Sequence, residues 1–251
     1  MLEEEDVNIK VHALKKLDAC VADFWAEISE SLPDIEALYE DEAFGSRGLA
    51  ALVASKVYYY LGELGDALTY ALGAGSLFNV DEGSEYVETL LSKAIDEYCA
   101  GFVARSEQQI KVEAGEPAEA EAPIDKRLID LVERMVESSI QRCAYQPVMG
   151  IALEARRLDM VERVLRLCDT SPGEGEHESS TAAMLAYTFQ LTTTTLSSRP
   201  FRRKVRSRAA RSRAPPGAPL LPRVVARRAR LPAVPRRLPH IPASPPSPAP
   251  P

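Results

Sequence analysis

The stretch from Leu49 to Val80, LAALVASKVYYYLGELGDALTYALGAGSLFNV, constrains the fold more than any other part of the chain. At helical spacing Leu49, Leu52, Val53, Lys56, Val57, Tyr60 and Leu61 fall near one face, with Lys56 the only charge. A second helix-like run, Asp66 to Leu72, follows a short break bounded by Gly62 and Gly65. Those two glycines are suited to the positive φ that a tight connection needs. Ala67, Ala71, Ala74, Gly73 and Gly75 remove bulk where two helices approach closely. The stretch therefore predicts a helical hairpin. Such a unit cannot bury its apolar faces alone and requires neighbours stacked on both sides, which is the logic of an α-solenoid rather than of a closed enzyme domain.

Helical periodicity supplies those neighbours. Leu14, Leu17, Val21, Phe24, Trp25 and Ile28 recur at three- and four-residue steps and predict a helix over Asn8 to Ser31. Pro33 opens a second helix with Ile35, Leu38 and Tyr39 inward, and the acidic run at Tyr39 to Glu42 ends it. After the hairpin, Ser84 caps a long helix whose stripe is Tyr86, Val87, Leu90, Leu91, Ala94, Ile95, Tyr98 and Phe102. Periodicity is lost from Glu107 to Pro123, which reads as a flexible acidic loop. Leu128, Leu131, Val132, Met135, Val136 and Ile140 mark the next helix. Two shorter ones follow, at Pro147 to Arg156 and Leu158 to Cys168. A second acidic loop, DTSPGEGEHESS, precedes a final helix near Thr181 with Met184, Leu185, Tyr187, Phe189 and Leu191. No strand alternation is strong enough to propose a sheet. The fold class is all-α: roughly eight helices in antiparallel pairs, an armadillo- or tetratricopeptide-like α-solenoid.

Charge divides the chain. Up to Ser198 there are 37 acidic and 16 basic residues, whereas Arg199 to Pro251 carries 14 basic residues and no acidic one. Fourteen of the 19 prolines lie in that last part, so it is expected to form neither a regular helix nor a central strand. The expected division is 1–205, a helical solenoid, and 206–251, a disordered Arg-, Ala- and Pro-rich tail. From Arg206 onward Asn, Asp, Glu, Gln, Lys, Thr, Tyr, Phe, Met and Cys are all absent. An out-of-frame or unspliced reading of a GC-rich gene would give that mixture.

No catalytic, cofactor or metal residues are expected, and interaction residues cannot be named from the sequence. The fragment GAGS at Gly73 to Ser76 follows a helix instead of a strand and lacks GK[ST], so close packing explains it better than phosphate binding. His12, His177 and His240 have no paired nucleophile or carboxylate in a recognisable arrangement. The acidic clusters Glu3 to Asp6, Glu40 to Glu42 and Glu113 to Glu121 lack the ligand alternation of a calcium loop and read as solvated. Cys20, Cys99, Cys143 and Cys168 read as reduced core thiols, without CxxC spacing. Phe24 and Trp25 read as core, with an exposed anchor for a neighbouring subunit as the other possibility. The chain opens MLEEED with no basic start, and no run of 18 uncharged apolar residues occurs, which places it in the cytoplasm and nucleus. The basic tail lacks the interleaved aromatics of a nucleic-acid binder, so nucleic acid is not an expected partner.

Seven segments occur in a particular order: FWAEISES at Phe24 to Ser31, LYEDEAF at Leu38 to Phe44, the hairpin itself, SEYVETLLSKAIDEY at Ser84 to Tyr98, PIDKRL at Pro123 to Leu128, GIALEARRLDMVERVL at Gly150 to Leu165, and MLAYTFQL at Met184 to Leu191. Together they closely resemble the N-terminal helical region of the 26S proteasome non-ATPase regulatory subunit 1 family, over roughly Glu5 to Val205. The resemblance implies a non-enzymatic scaffold in ubiquitin-dependent protein degradation, with other regulatory-particle subunits, including the ATPase ring, as partners. It implies no cofactor, no small-molecule substrate and no membrane. The runner-up from the residues alone is a free-standing tetratricopeptide-like adaptor for peptides. That reading requires near-identical repeats of about 34 residues, and only the central hairpin fits. A solenoid cut near Val205 is expected to leave an apolar face uncovered.

Overall fold

A computed structural model describes residues 2, 4, 6–113, 123–170, 180–194, 196 and 198–212. Among them the chain passes through ten α-helices: α1 (Val7–Ser29), α2 (Leu32–Glu40), α3 (Arg47–Leu61), α4 (Leu64–Ala74), α5 (Glu85–Glu113), α6 (Lys126–Gln141), α7 (Tyr145–Glu154), α8 (Leu158–Thr170), α9 (Ser180–Thr194) and α10 (Arg199–Ser212). A 3-10 turn, Gly75–Leu77, follows α4, and no strand occurs among the described residues. The fold is an all-α solenoid.

The α3–α4 hairpin is the hinge of the packing because α3 is apolar on two sides. Ala50, Val53, Ala54 and Val57 pack into one cluster with Leu14, Val21 and Ile28 of α1 and Ile35 and Leu38 of α2. Ala51, on another side of the same helix, joins a second cluster that runs from α4 through α5 to α10. A helix apolar nearly all round must be buried, and alanine lets neighbours on both sides come close. Gly62 closes α3 at φ 86°, its N–H reaching the carbonyls of Tyr58 and Tyr59. Gly65 lies within α4 without a positive φ, so only one of the two expected turn glycines serves that purpose.

Gly73 is demanded by contact. A Cβ there would stand 2.5 Å from the Tyr39 hydroxyl and 2.8 Å from its ring. Gly75 serves differently: nothing crowds it, but its φ of 60° and ψ of −117° suit only glycine.

Two elements run further than periodicity predicts. Helix α5 continues to Glu113, through residues assigned to a loop from Glu107. The rest of that loop, 114–122, and most of DTSPGEGEHESS lie outside the described residues. Helix α10 crosses the expected boundary at 205/206 and holds through Ser212. Arginine and alanine are good helix formers, and the next proline after Pro200 is Pro215, so nothing stops the helix at Val205. The expectation of an irregular tail is therefore corrected for 206–212; residues beyond 212 are outside the description. The described residues of α10 bury their own apolar side chains at and after Val205. Phe201, Val205 and Ala209, spaced four apart, are buried against α8 and α9, and the rest of α10 is strongly basic.

Phe24 departs from its expected place in the core. It is 54% exposed, and the helical φ/ψ of α1 breaks at this residue (φ −124°, ψ 26°). Asp18 and Trp25, on one flank of α1, reach α3, whereas Phe24 lies roughly 100° round the helix from Trp25. Cys143 is corrected as well. It is exposed in the α6–α7 turn at φ 56°, while Cys99 and Cys168 are buried and Cys20 is half-buried.

Candidate interaction surface

Polar side chains join the helix pairs at a few nodes. Ser55 of α3 donates 2.6 Å to the carbonyl of Ala67 in α4 and shares a 2.8 Å hydrogen bond with the Tyr86 hydroxyl of α5. One buried hydroxyl thus ties three helices. Beside it, Glu36 of α2 accepts hydrogen bonds from Tyr58 (2.5 Å) and Tyr70 (2.8 Å), whose rings stack at 5.4 Å. Burial, then the hydrogen bond to Glu36 and its charge, push the Tyr58 hydroxyl up to about 12. The same causes raise Tyr70, and burial above all raises Tyr86. Lys56 completes this end of the solenoid with a 2.6 Å ion pair to Asp18 of α1.

The second node is Arg157, in the α7–α8 turn. Its guanidinium donates to Asp159 at 2.6 Å and to the Tyr98 hydroxyl at 2.7 Å, lies 3.7 Å from Glu133, and sits 5.1 Å from the centre of the Phe102 ring. Helices α5, α6 and α8 meet at this one side chain. The hydrogen bond from Arg157 holds the Asp159 carboxyl below its ordinary range. Arg156 binds Glu107 of α5 at 2.9 Å, and Arg163 binds Glu137 of α6 at 2.5 Å. Arg156, Arg157 and Arg163 are thus struts between neighbouring helices.

Against this frame the chemical candidates resolve into packing. GAGS sits at the C-terminal end of α4, where helix carbonyls rather than N–H groups are exposed, and Arg134 donates 3.1 Å to the carbonyl of Gly75. His12 shares a groove of about 440 Å³ with Leu2, Ala13, Lys16, Leu17, Ser31 and Asp34, but no hydrogen bond joins it to Ser31 or Asp34. His177 and His240 lie outside the described residues, as do Glu3, Glu5 and most of the cluster from Glu113. Among the described residues no group of three or more His, Cys, Asp or Glu is placed to hold a metal ion. No described helix is long and apolar enough to cross a membrane. Burial raises the Cys99 thiol to about 12 and lifts Cys168 as well, so neither is a thiolate near neutrality.

Some aromatic and apolar side chains face outward. Trp25 stacks on Tyr60 at 6.3 Å, and Tyr60 and Leu61 are exposed at the end of α3. Periodicity could not single out Tyr60 and Leu61, because they continue the same stripe as Val53 and Val57 and differ only in their exposure.

Comparison with known proteins fits this arrangement. Residues 1–211 match the family model described as the N-terminal domain of the 26S proteasome subunit RPN2. The chain belongs to that family. Its relatives include the 26S proteasome non-ATPase regulatory subunit 1 homolog B of Arabidopsis thaliana, 54% identical over 167 residues, covering 66% of this chain and 16% of the relative. The 26S proteasome non-ATPase regulatory subunit 1 of Drosophila melanogaster is 42% identical over 205 residues, 82% of this chain and 18% of that protein. The 26S proteasome regulatory subunit RPN2 of Saccharomyces cerevisiae is 38% identical over 205 residues, 82% of this chain and 21% of that protein. The chain therefore spans about a fifth of the length of these curated RPN2-family relatives. The match to the family domain runs past Val205 and into the second half of α10.

Proposed function

We propose that this chain is a non-enzymatic scaffold of the 26S proteasome regulatory particle, acting in ubiquitin-dependent protein degradation through protein–protein binding alone. The observation that carries the proposal is the family match over residues 1–211, borne on stacked helix pairs whose polar groups join helix to helix. Other regulatory-particle subunits, the ATPase ring among them, are the proposed partners, and the cytoplasm and nucleus the proposed location. In this mechanism the nodes at Ser55, Glu36 and Arg157 fix the relative placement of the helices, and the outward faces supply shape and charge to partners. Residues after Ser212 are proposed to form a separate segment of different origin. Transcript reads that continue the printed frame without interruption would refute a frame shift there.

Affinity purification of the tagged chain from cells, with identification of co-purifying proteins, tests the scaffold role. Regulatory-particle subunits are expected in the eluate. Their complete absence, with the chain folded by circular dichroism, would overturn the proposal.

A further inference from the structure

Helix α10 carries seven basic residues in its 14 and no acid. Its inner seam is accounted for by Phe201, Val205 and Ala209, and Arg208 is bound to Glu162 of α8 at 2.5 Å. Apart from Lys204 and Arg211, that leaves Arg199, Arg202, Arg203 and Arg206. They stand at i, i+3, i+4 and i+7, which places them in one stripe away from the seam. Arg199, Arg203 and Arg206 are exposed and Arg202 is half-exposed, and none of the four has an ion pair or hydrogen-bonded side-chain partner among the described residues.

The placement works against the helix. Like charges at i, i+3 and i+4 repel, and Arg199 and Arg202 lie in the first turn, where the helix dipole is already positive. Elsewhere in this unit arginines are spent on struts: Arg156, Arg157 and Arg163 each face a carboxylate. A locally unfavourable stripe with no countercharge among the described residues is a surface open to countercharge from a partner.

We infer that the Arg199, Arg202, Arg203 and Arg206 stripe docks an acidic α-helix of a partner protein, with Glu or Asp at the same i, i+3, i+4 and i+7 spacing. Two helices laid side by side would match the ladder step for step, and the planar guanidinium forks suit carboxylates in pairs. A single-stranded nucleic acid fits less well, because the one aromatic ring of α10, Phe201, is buried and no base-stacking platform faces outward.

The test uses the full chain and fluorescence anisotropy. The probe is a labelled helical peptide with four glutamates in that stripe on an alanine and glutamine background. An isomer of equal composition with glutamates spread round the helix, an oligo-dT strand and phosphatidylserine vesicles are the comparison arms. The striped peptide is expected to bind more tightly than its isomer, and binding should weaken about tenfold for Arg202→Glu/Arg203→Glu. A lysine-striped peptide should recover binding to that variant. Arg202→Gln/Arg203→Gln, with helicity checked by circular dichroism, gives a milder second variant that should weaken binding in the same direction. Equal affinity for the isomer, or unchanged affinity in both variants, would overturn the inference. So would a loss confined to the oligo-dT or vesicle arm. Unchanged affinity would assign the binding to the basic residues beyond Ser212, which all these proteins share.

Discussion

Gly65 and Gly73 are the same residue on the same helix, and the structure gives them opposite roles. At Gly65 nothing lies within 4 Å of an added Cβ, so Gly65→Ala should stabilise by about 0.4–1 kcal/mol through the unfolded chain and helix propensity. At Gly73 the added methyl meets Tyr39, whose ring is held edge-on to Tyr70 at 5.5 Å and faces Arg47 at 5.5 Å. Gly73→Ala should therefore destabilise by about 1–3 kcal/mol, as overpacking does. Urea denaturation of the two variants checks the pair, and equal shifts would show that Tyr39 moves aside freely. Ser55 offers a second asymmetry. Ser55→Ala leaves the buried Tyr86 hydroxyl without its partner and should cost about 1–3 kcal/mol, whereas Tyr86→Phe leaves Ser55 still donating to Ala67 and should cost less. Composition shows that glycine and serine occur in the hairpin; it cannot show which of them touches a neighbour, because Tyr39 and Tyr86 come from other helices.

At the scale of elements, α8 depends on Arg157 for its junction with α5 and α6. Arg157→Ala removes donors to Tyr98 and Asp159 together, and a loss of about 2 kcal/mol is expected. Arg157→Lys should recover little, since an ammonium cannot serve Asp159, Tyr98 and Glu133 in one plane. Thermal melts of both variants decide this; a lysine variant as stable as the parent would mean charge alone suffices. The helices α1 through α9 are legible in sequence because each buries an apolar face. The ends are not. The segment EQQIKVE extends α5 by propensity without a buried stripe, and α10 hides a three-residue seam among arginines. Phe24 misled for the opposite reason: it keeps the helical step, yet the break in φ/ψ lies at that residue.

For the whole molecule, the tyrosine cluster sets an alkaline limit. Tyr58, Tyr70 and Tyr86 hold their protons more tightly when folded than at their ordinary value of 10.0. Their contribution to stability is fully present below that value and is lost as pH rises through about 12, where Tyr58 titrates. Denaturant midpoints should fall steeply across this window. Glu36→Gln should let Tyr58 ionise at lower pH in an ultraviolet tyrosinate titration, since it removes the charge opposite the hydroxyl; an unmoved titration would count against the Glu36 contribution. The family and the solenoid were readable from the ordered segments, whereas the nodes that lock helix to helix were not, because Glu36 and Tyr70, or Tyr98 and Arg157, lie far apart in the chain. The main helix contacts reach no further than two elements along the chain. A unit wired in this way behaves mechanically as a spring. A push at α1 reaches α10 only by being handed from joint to joint, each giving a little, and Arg157 is the stiff coil in the middle.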